Sequence, residues 1–189
     1  MTDKVWLVGD LYLDTSPWKE MKDPATSAER EEAFFTQHND LVAPKDVVVF
    51  FGNIASSNVA YWLGRVNELA GTKILLLGDQ DKNRPKWYNK FGFKMVVPFN
   101  ESLIFEDGMY GKVLFTHLPA YASVGHRVDR KYHGLMGKHG RTFENSSCVI
   151  NIHGHTLGTG AETHRTYDTS SQPIRMLSLD QVLDLKFRR

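Results

Sequence analysis

The sequence predicts an α/β fold, a sheet-based domain whose strands are covered on both faces. Two observations carry that expectation. Short apolar runs without alternation, Val47-Val48-Val49-Phe50-Phe51 and Lys73-Ile74-Leu75-Leu76-Leu77, read as strands buried on both sides, and longer segments with helical spacing separate them. Each run ends in glycine followed by a polar residue. A polar side chain therefore emerges at a strand's carboxyl end, where open α/β sheets place their ligand sites.

Taken in order, the chain opens with a strand, Val5-Trp6-Leu7-Val8, that runs into Gly9-Asp10. Asp23-Pro24 forms a break, and Thr26 with Glu29 has capping-box spacing for a helix to about Leu41, closed by Pro44. A second helix begins after Ser57 or Asn58, carries Val59, Trp62, Leu63, Val66 and Leu69 at helical spacing, and stops at Gly71. Pro85 opens a short helix. Residues 94–98, 102–105 and 112–115 then read as strands, the last two joined by a turn at Asp107-Gly108. From 119 to 147 the apolar periodicity disappears and the chain turns Gly- and base-rich, which predicts a long loop. Order returns with the apolar run led by Cys148, and Ser178 with Gln181 has capping-box spacing for a last helix through about Leu185.

At 189 residues the chain fits one domain, 1–189. A hydrophobic fraction of 41% and a charged fraction of 24% are those of a soluble globular protein. Lys+Arg 23 against Asp+Glu 22 leaves no net charge to signal a nucleic-acid or membrane partner. The single cysteine, Cys148, has no internal disulfide partner and reads as a small buried thiol, which predicts a reducing compartment. No apolar stretch approaches the roughly 18–20 residues that span a bilayer, and the start of the chain has no basic segment followed by an apolar core. A cytoplasmic location is the expectation.

Five strand-to-loop junctions carry polar residues: Asp10 with Tyr12, Gly52-Asn53, Gly78-Asp79-Gln80-Asp81, Thr116-His117, and Gly154-His155-Thr156-Leu157. In this order they resemble the metal-site motifs of calcineurin-like metallophosphoesterases, in particular the small single-domain bacterial and phage branch. The resemblance covers nearly the whole chain. It implies a four-layer αββα sandwich of two mixed sheets flanked by helices, with the junctions converging at one end. It also implies a phosphoric ester hydrolase site in which two metal ions clamp a phosphoester.

Several letters depart from that pattern. The resemblance assigns the first metal to Asp10 and to positions held here by Tyr12, Asn53 and Leu157. A neutral phenol is a poor ligand, leucine has no donor atom, and an amide supplies no bridging charge. For the second metal it assigns Asn53, Asp79, His117 and His155, where an amide and a carboxylate have exchanged places and both imidazoles remain. That set suits one divalent ion such as Mn, Zn, Fe or Ni; a fully degenerate site holds none. Gln80 stands at the family's catalytic histidine and donates a hydrogen bond without giving up a proton, while Asp81 keeps the place of the residue that orients that histidine.

Outside these motifs, Arg127, Arg130, Lys131, Lys138 and Arg141, with Tyr132 among them, form either a solvated loop or a contact for a phosphate, a nucleotide or a partner. His153 is either a turn residue or a neighbour of the site on the same face as His155. The function expected from all this is a phosphoesterase-fold protein that has lost two-metal catalysis and binds a phosphorylated small molecule, a nucleotide or a protein partner. The alternative is an active phosphomonoesterase or phosphodiesterase running on a single divalent metal. A purely structural role comes third.

Overall fold

A computed structural model describes residues 3–14, 27–121, 129–155, 165–169 and 176–188. Thr26, Arg127 and Leu157 lie outside the described residues.

The first sheet runs in the order β4-β3-β2-β1-β9: β1 (Val5–Val8), β2 (Val47–Phe50), β3 (Thr72–Leu76) and β4 (Phe93–Val97) are parallel, and β9 (Leu177–Ser178) lies antiparallel on β1. The second has the order β5-β6-β7-β8, with β5 (Leu103–Asp107) antiparallel to β6 (Gly111–Thr116) and with β6, β7 (Ile150–His153) and β8 (Thr166–Asp168) parallel. Both sheets are therefore mixed, as expected from the motifs.

The buried runs show why four layers form. Trp6, Val8, Val48, Phe50 and Leu75 face outward from the first sheet against α1 (Ser27–Leu41), α2 (Val59–Asn67) and α3 (Pro85–Tyr88), through Phe34, Phe35, Trp62, Leu63, Val66 and Tyr88. Their alternates Leu7, Val49, Phe51 and Leu76 face inward and meet Val113, Phe115, Ile150 and Ile152 of the second sheet. The final helix, α5 (Leu179–Phe187), adds Leu179, Val182 and Leu183 to that inner layer, and it starts with the predicted Ser178/Gln181 capping box. On the far side Leu114 packs with Phe143 of α4 (His133–Asn145) and with the buried Cys148.

That α4 exists corrects the sequence reading. The segment 119–147, read as a long loop, contains a 3-10 turn at Arg130–Tyr132 and the thirteen-residue helix α4. Arg130 and Lys131 thus sit on the turn, Lys138 and Arg141 on the helix. Its buried positions are Met136, His139, Gly140 and Phe143, a regular helical stripe in which histidine and glycine fill two of the four places. A Cβ on Gly140 would stand 3.0 Å from the Ala120 carbonyl oxygen, so the glycine lets the helix lie close to the turn after β6. Smaller differences concern ends: α2 stops at Asn67, four residues before Gly71, and α5 continues to Phe187.

Candidate metal site at the strand ends

Six parallel strands deliver a polar residue at or just beyond their carboxyl ends: Asp10 after β1, Asn53 after β2, Asp79 after β3, His117 after β6, His155 after β7 and Asp168 closing β8. The turns that do so are tight. Gly52 has φ 94°, and a Cβ there would lie 2.4 Å from the Gly78 nitrogen and 2.9 Å from His117 Nδ1. Tyr12, Asn53 and His155 have positive φ of 46°, 47° and 74°, in the left-handed region that costs non-glycine residues about 1–3 kcal/mol each. Strain of that kind persists where the surroundings hold it.

Those surroundings can be named. Asp81 Oδ2 accepts the backbone N–H groups of both Asn53 and Gly78 at 2.8 Å, tying the second and third junctions together. The Tyr12 N–H donates to the Asn53 carbonyl at 2.8 Å, which joins the first to the second. In the other sheet the buried Asn151 fixes the turn that presents His117, accepting from Ala120 N at 2.7 Å and donating to Thr116 Oγ1 at 2.8 Å and Leu114 O at 3.1 Å. His155 N–H donates to Asp10 Oδ2 at 3.1 Å, linking the sheets.

Within this frame three donor atoms converge. His117 Nε2 lies 3.2 Å from His155 Nδ1 and 3.4 Å from Asp79 Oδ1, which is itself 3.5 Å from His155 Nδ1. Donors around a tetrahedral ion bonded at about 2.0–2.2 Å stand about 3.3–3.6 Å apart, so the triangle has the right size for one metal. Nδ1 of His117 is 2.5 Å from the Phe51 carbonyl oxygen, which can only accept, so Nδ1 carries the proton and the Nε2 lone pair faces the other two donors.

Asp10 stands at the same place. It forms with His117 and His155 a group whose ligand atoms lie within 4.8 Å of one another and could hold a metal ion. Its Oδ1 is buried without a hydrogen-bond partner among the described residues, an acceptor that a cation would satisfy.

Electrostatics agree with the crowding of like groups. Burial pushes the Asp10 carboxyl up to about 7, with His117 pulling it down and Asp168, Asp79 and Asp81 pushing it further up. For His117 burial acts downward, but Asp10, Asp79 and the Phe51 carbonyl outweigh it and the imidazole is raised. Asp79 is held well below the ordinary carboxylate range: burial opposes this, and bonds from His117, His155 and Asn53 overcome it.

The other flank is arranged differently. The Gln80 N–H donates to Asn53 Oδ1 at 3.0 Å, and because a backbone N–H only donates, the orientation of the Asn53 amide is fixed. Its nitrogen therefore faces the cluster, donating to Tyr12 Oη at 2.8 Å and Asp79 Oδ1 at 3.0 Å. Burial, Asp10 and Asp79 all push the Tyr12 phenol above its ordinary value. A neutral phenol and an amide N–H₂ thus stand together on this side.

Gln80 is exposed and donates through Nε2 to Asp79 Oδ2 at 2.9 Å. His153 is a strand residue rather than a turn residue, buried, with Nδ1 2.9 Å from Gly154 O. Of the basic residues, Lys131 pairs with Asp129 at 3.2 Å, Lys138 donates to the Asn100 carbonyl at 2.7 Å, and Arg130 and Arg141 are exposed.

Tyr132, Phe99 and Asp168 had no sequence assignment to the site. Tyr132 donates to Asp79 Oδ2 at 3.1 Å and sets its ring edge-on to His155, while Phe99 lies against both His117 and Tyr132. An aromatic residue inside a basic segment was the one available signal.

The fold is shared with solved structures. A protein of unknown function from Aquifex aeolicus superposes with a TM-score of 0.79 at 17% identity, over 97% of this chain and 100% of its own. An archaeal phosphodiesterase does so with a TM-score of 0.54 at 13% identity, over 93% of this chain and 99% of its own. No family model and no curated protein matches the chain by sequence. The class thus defined is a two-sheet α/β protein with a phosphodiesterase-like fold and a group of side chains able to hold a metal at its strand ends. Among the described residues no helix is long and apolar enough to cross a membrane.

Proposed function

We propose that this chain is a metallophosphoesterase-fold protein that binds one divalent metal through Asp79, His117 and His155, with Asp10 alongside, and uses the site to hold a phosphorylated small molecule or nucleotide rather than to run two-metal hydrolysis. The observation that carries this reading is the orientation of the Asn53 amide. Its N–H₂ stands where a second ion would need an anion, and two dications so close together require anionic ligands between them to offset their repulsion.

When bound, a divalent ion supplies positive charge and Lewis acidity to a phosphoryl oxygen. The chain's own residues then do limited work on the ligand. Asn53 and Tyr132 hold Asp79 in place by donating to its Oδ1 and Oδ2 respectively. Gln80 offers a hydrogen bond at the exposed rim but no transferable proton, which removes a general-acid contribution of about 10²–10⁴-fold. Asp81 is committed to two backbone N–H groups and serves the turns.

The second reading, a phosphodiesterase running on one metal, draws on the same retained triangle and on the likeness to the archaeal enzyme's fold. One experiment separates the two. Protein purified without added metal is assayed for metal content and then for hydrolysis of an aryl phosphodiester in Mn. About one equivalent of metal without turnover is expected. Turnover abolished by His117→Ala overturns the binding reading, and a protein that takes up no metal overturns both.

A further inference from the structure

Asp79 is the most heavily bonded side chain of the cluster, and its two oxygens have separate surroundings. Oδ1 faces His117 Nε2, His155 Nδ1 and the Asn53 amide. Oδ2 accepts from Gln80 Nε2 at 2.9 Å and Tyr132 Oη at 3.1 Å. These two donors differ in kind. Gln80 is exposed, on a side chain free to leave for water, and such a contact fixes little. Tyr132 is half-buried, and its ring is held on several sides: edge-on to His155 with centroids 5.7 Å apart, against Phe99 at 5.6 Å, and under the Lys131 ammonium at 4.7 Å. Phe99 in turn lies 5.6 Å from the His117 ring. The phenol is thereby anchored to both imidazoles that flank the carboxylate it bonds.

Resting on the one-metal reading, we propose that Tyr132 is the positioning residue of the metal site: its hydroxyl holds Asp79 Oδ2 so that the carboxylate presents Oδ1 alone to the space between His117 and His155. Outer partners of metal ligands act in this way, fixing the orientation of a donor before the ion arrives, and their loss weakens binding by about 10–100-fold. The arrangement also explains why the segment before α4 carries an aromatic residue amid cations. The turn Arg130–Tyr132 lies against the third and fifth strand-end junctions of the cluster, at Asp79 and His155, and Tyr132 is its point of attachment.

The test uses metal alone as probe. Metal-free wild type, Tyr132→Phe and Tyr132→Leu are titrated with Co(II), followed by calorimetry and by the visible absorption of the bound ion, and their Tm is measured in chelator. Tyr132→Phe is expected to bind Co(II) roughly 10-fold more weakly, with a changed absorption band and an unchanged chelator Tm. Tyr132→Leu, which also removes the ring, sets the packing contribution and is expected to lower the chelator Tm. Wild-type affinity and an unaltered band in Tyr132→Phe overturn the proposal and leave the one-metal reading standing. A loss of affinity that appears only in Tyr132→Leu, together with a fall in Tm, assigns Tyr132 to packing and also overturns it. If wild type takes up no Co(II), both readings fall.

Discussion

The two flanks of the strand-end cluster use the same kind of turn and differ in what their polar atoms face. On the histidine flank, His117 Nε2, His155 Nδ1 and Asp79 Oδ1 point at one another across 3.2–3.5 Å. On the tyrosine flank, the Asn53 amide gives its oxygen to the Gln80 N–H and its nitrogen to Tyr12 and Asp79. The first arrangement juxtaposes lone pairs and is favourable only with a proton or a cation among them. In the second, every polar atom of the amide has a hydrogen-bond partner without a cation. A single amide in place of a carboxylate is enough to create this difference, because it replaces a charge needing compensation by a donor that supplies it.

Removing an imidazole from the histidine flank should have the largest effect. His117→Ala is expected to weaken Mn or Co binding roughly 100-fold or more, beyond what outer partners carry, as read by calorimetry. Unchanged affinity would place the ion elsewhere and dissolve the contrast.

Converting the tyrosine flank comes next. Asn53→Asp sets a second carboxylate beside Asp79 and cancels two donated hydrogen bonds, so in chelator it is expected to cost about 3 kcal/mol by urea unfolding. Added Mn should recover that loss and raise uptake above one equivalent. A variant as stable as wild type in chelator would show that the flank is not closed by the amide.

A third prediction sets the histidines of the cluster against one outside it. His38 of α1 is fully buried, both ring nitrogens lack a hydrogen-bond partner among the described residues, and burial, with Lys73 behind it, pushes its imidazole down to about 4. Between about pH 6.5 and 4 the unfolded chain then binds a proton that the folded one refuses. Stability from this group is fully present above the unfolded value and is lost as pH falls toward 4. His38→Leu is expected to reduce the stability difference between pH 7 and 4.5 by about 2 kcal/mol; an unaltered difference would give the acid response to other groups.

The smallest effect belongs to Tyr12→Phe. Loss of the acceptor for Asn53 Nδ2 should cost about 1 kcal/mol and leave Co(II) affinity unaltered. A marked drop in affinity would make Tyr12 part of the metal site and erase the distinction between the flanks.

Much of the fold was legible because it is written in local terms. The apolar runs 47–51 and 73–77 could be read directly and overlap β2 and β3 to within one residue at each end, and the Ser178/Gln181 cap marks the start of α5 by spacing alone. α4 was hidden because His139 and Gly140 occupy two of its four core-facing positions and erase the apolar period. Asp10, Asn53, Asp79, His117 and His155 could be picked out because each follows a strand. The orientation of Asn53 could not, since it depends on the Gln80 N–H 27 residues away, nor could the reach of Tyr132 to Asp79 across 53 residues.

The link between the His155 N–H and Asp10 Oδ2 joins residues 145 positions apart. Contacts of such separation require a long loop to be closed before they return any energy, so they form late. During synthesis strands β1 to β4 can pair, with Asp10, Asn53 and Asp79 at their ends, before either imidazole has joined them. A nascent chain ending before residue 155 thus offers carboxylates without the full set of nitrogen donors that select transition metals. On the one-metal reading proposed above, full coordination of the ion therefore requires both sheets to be in place.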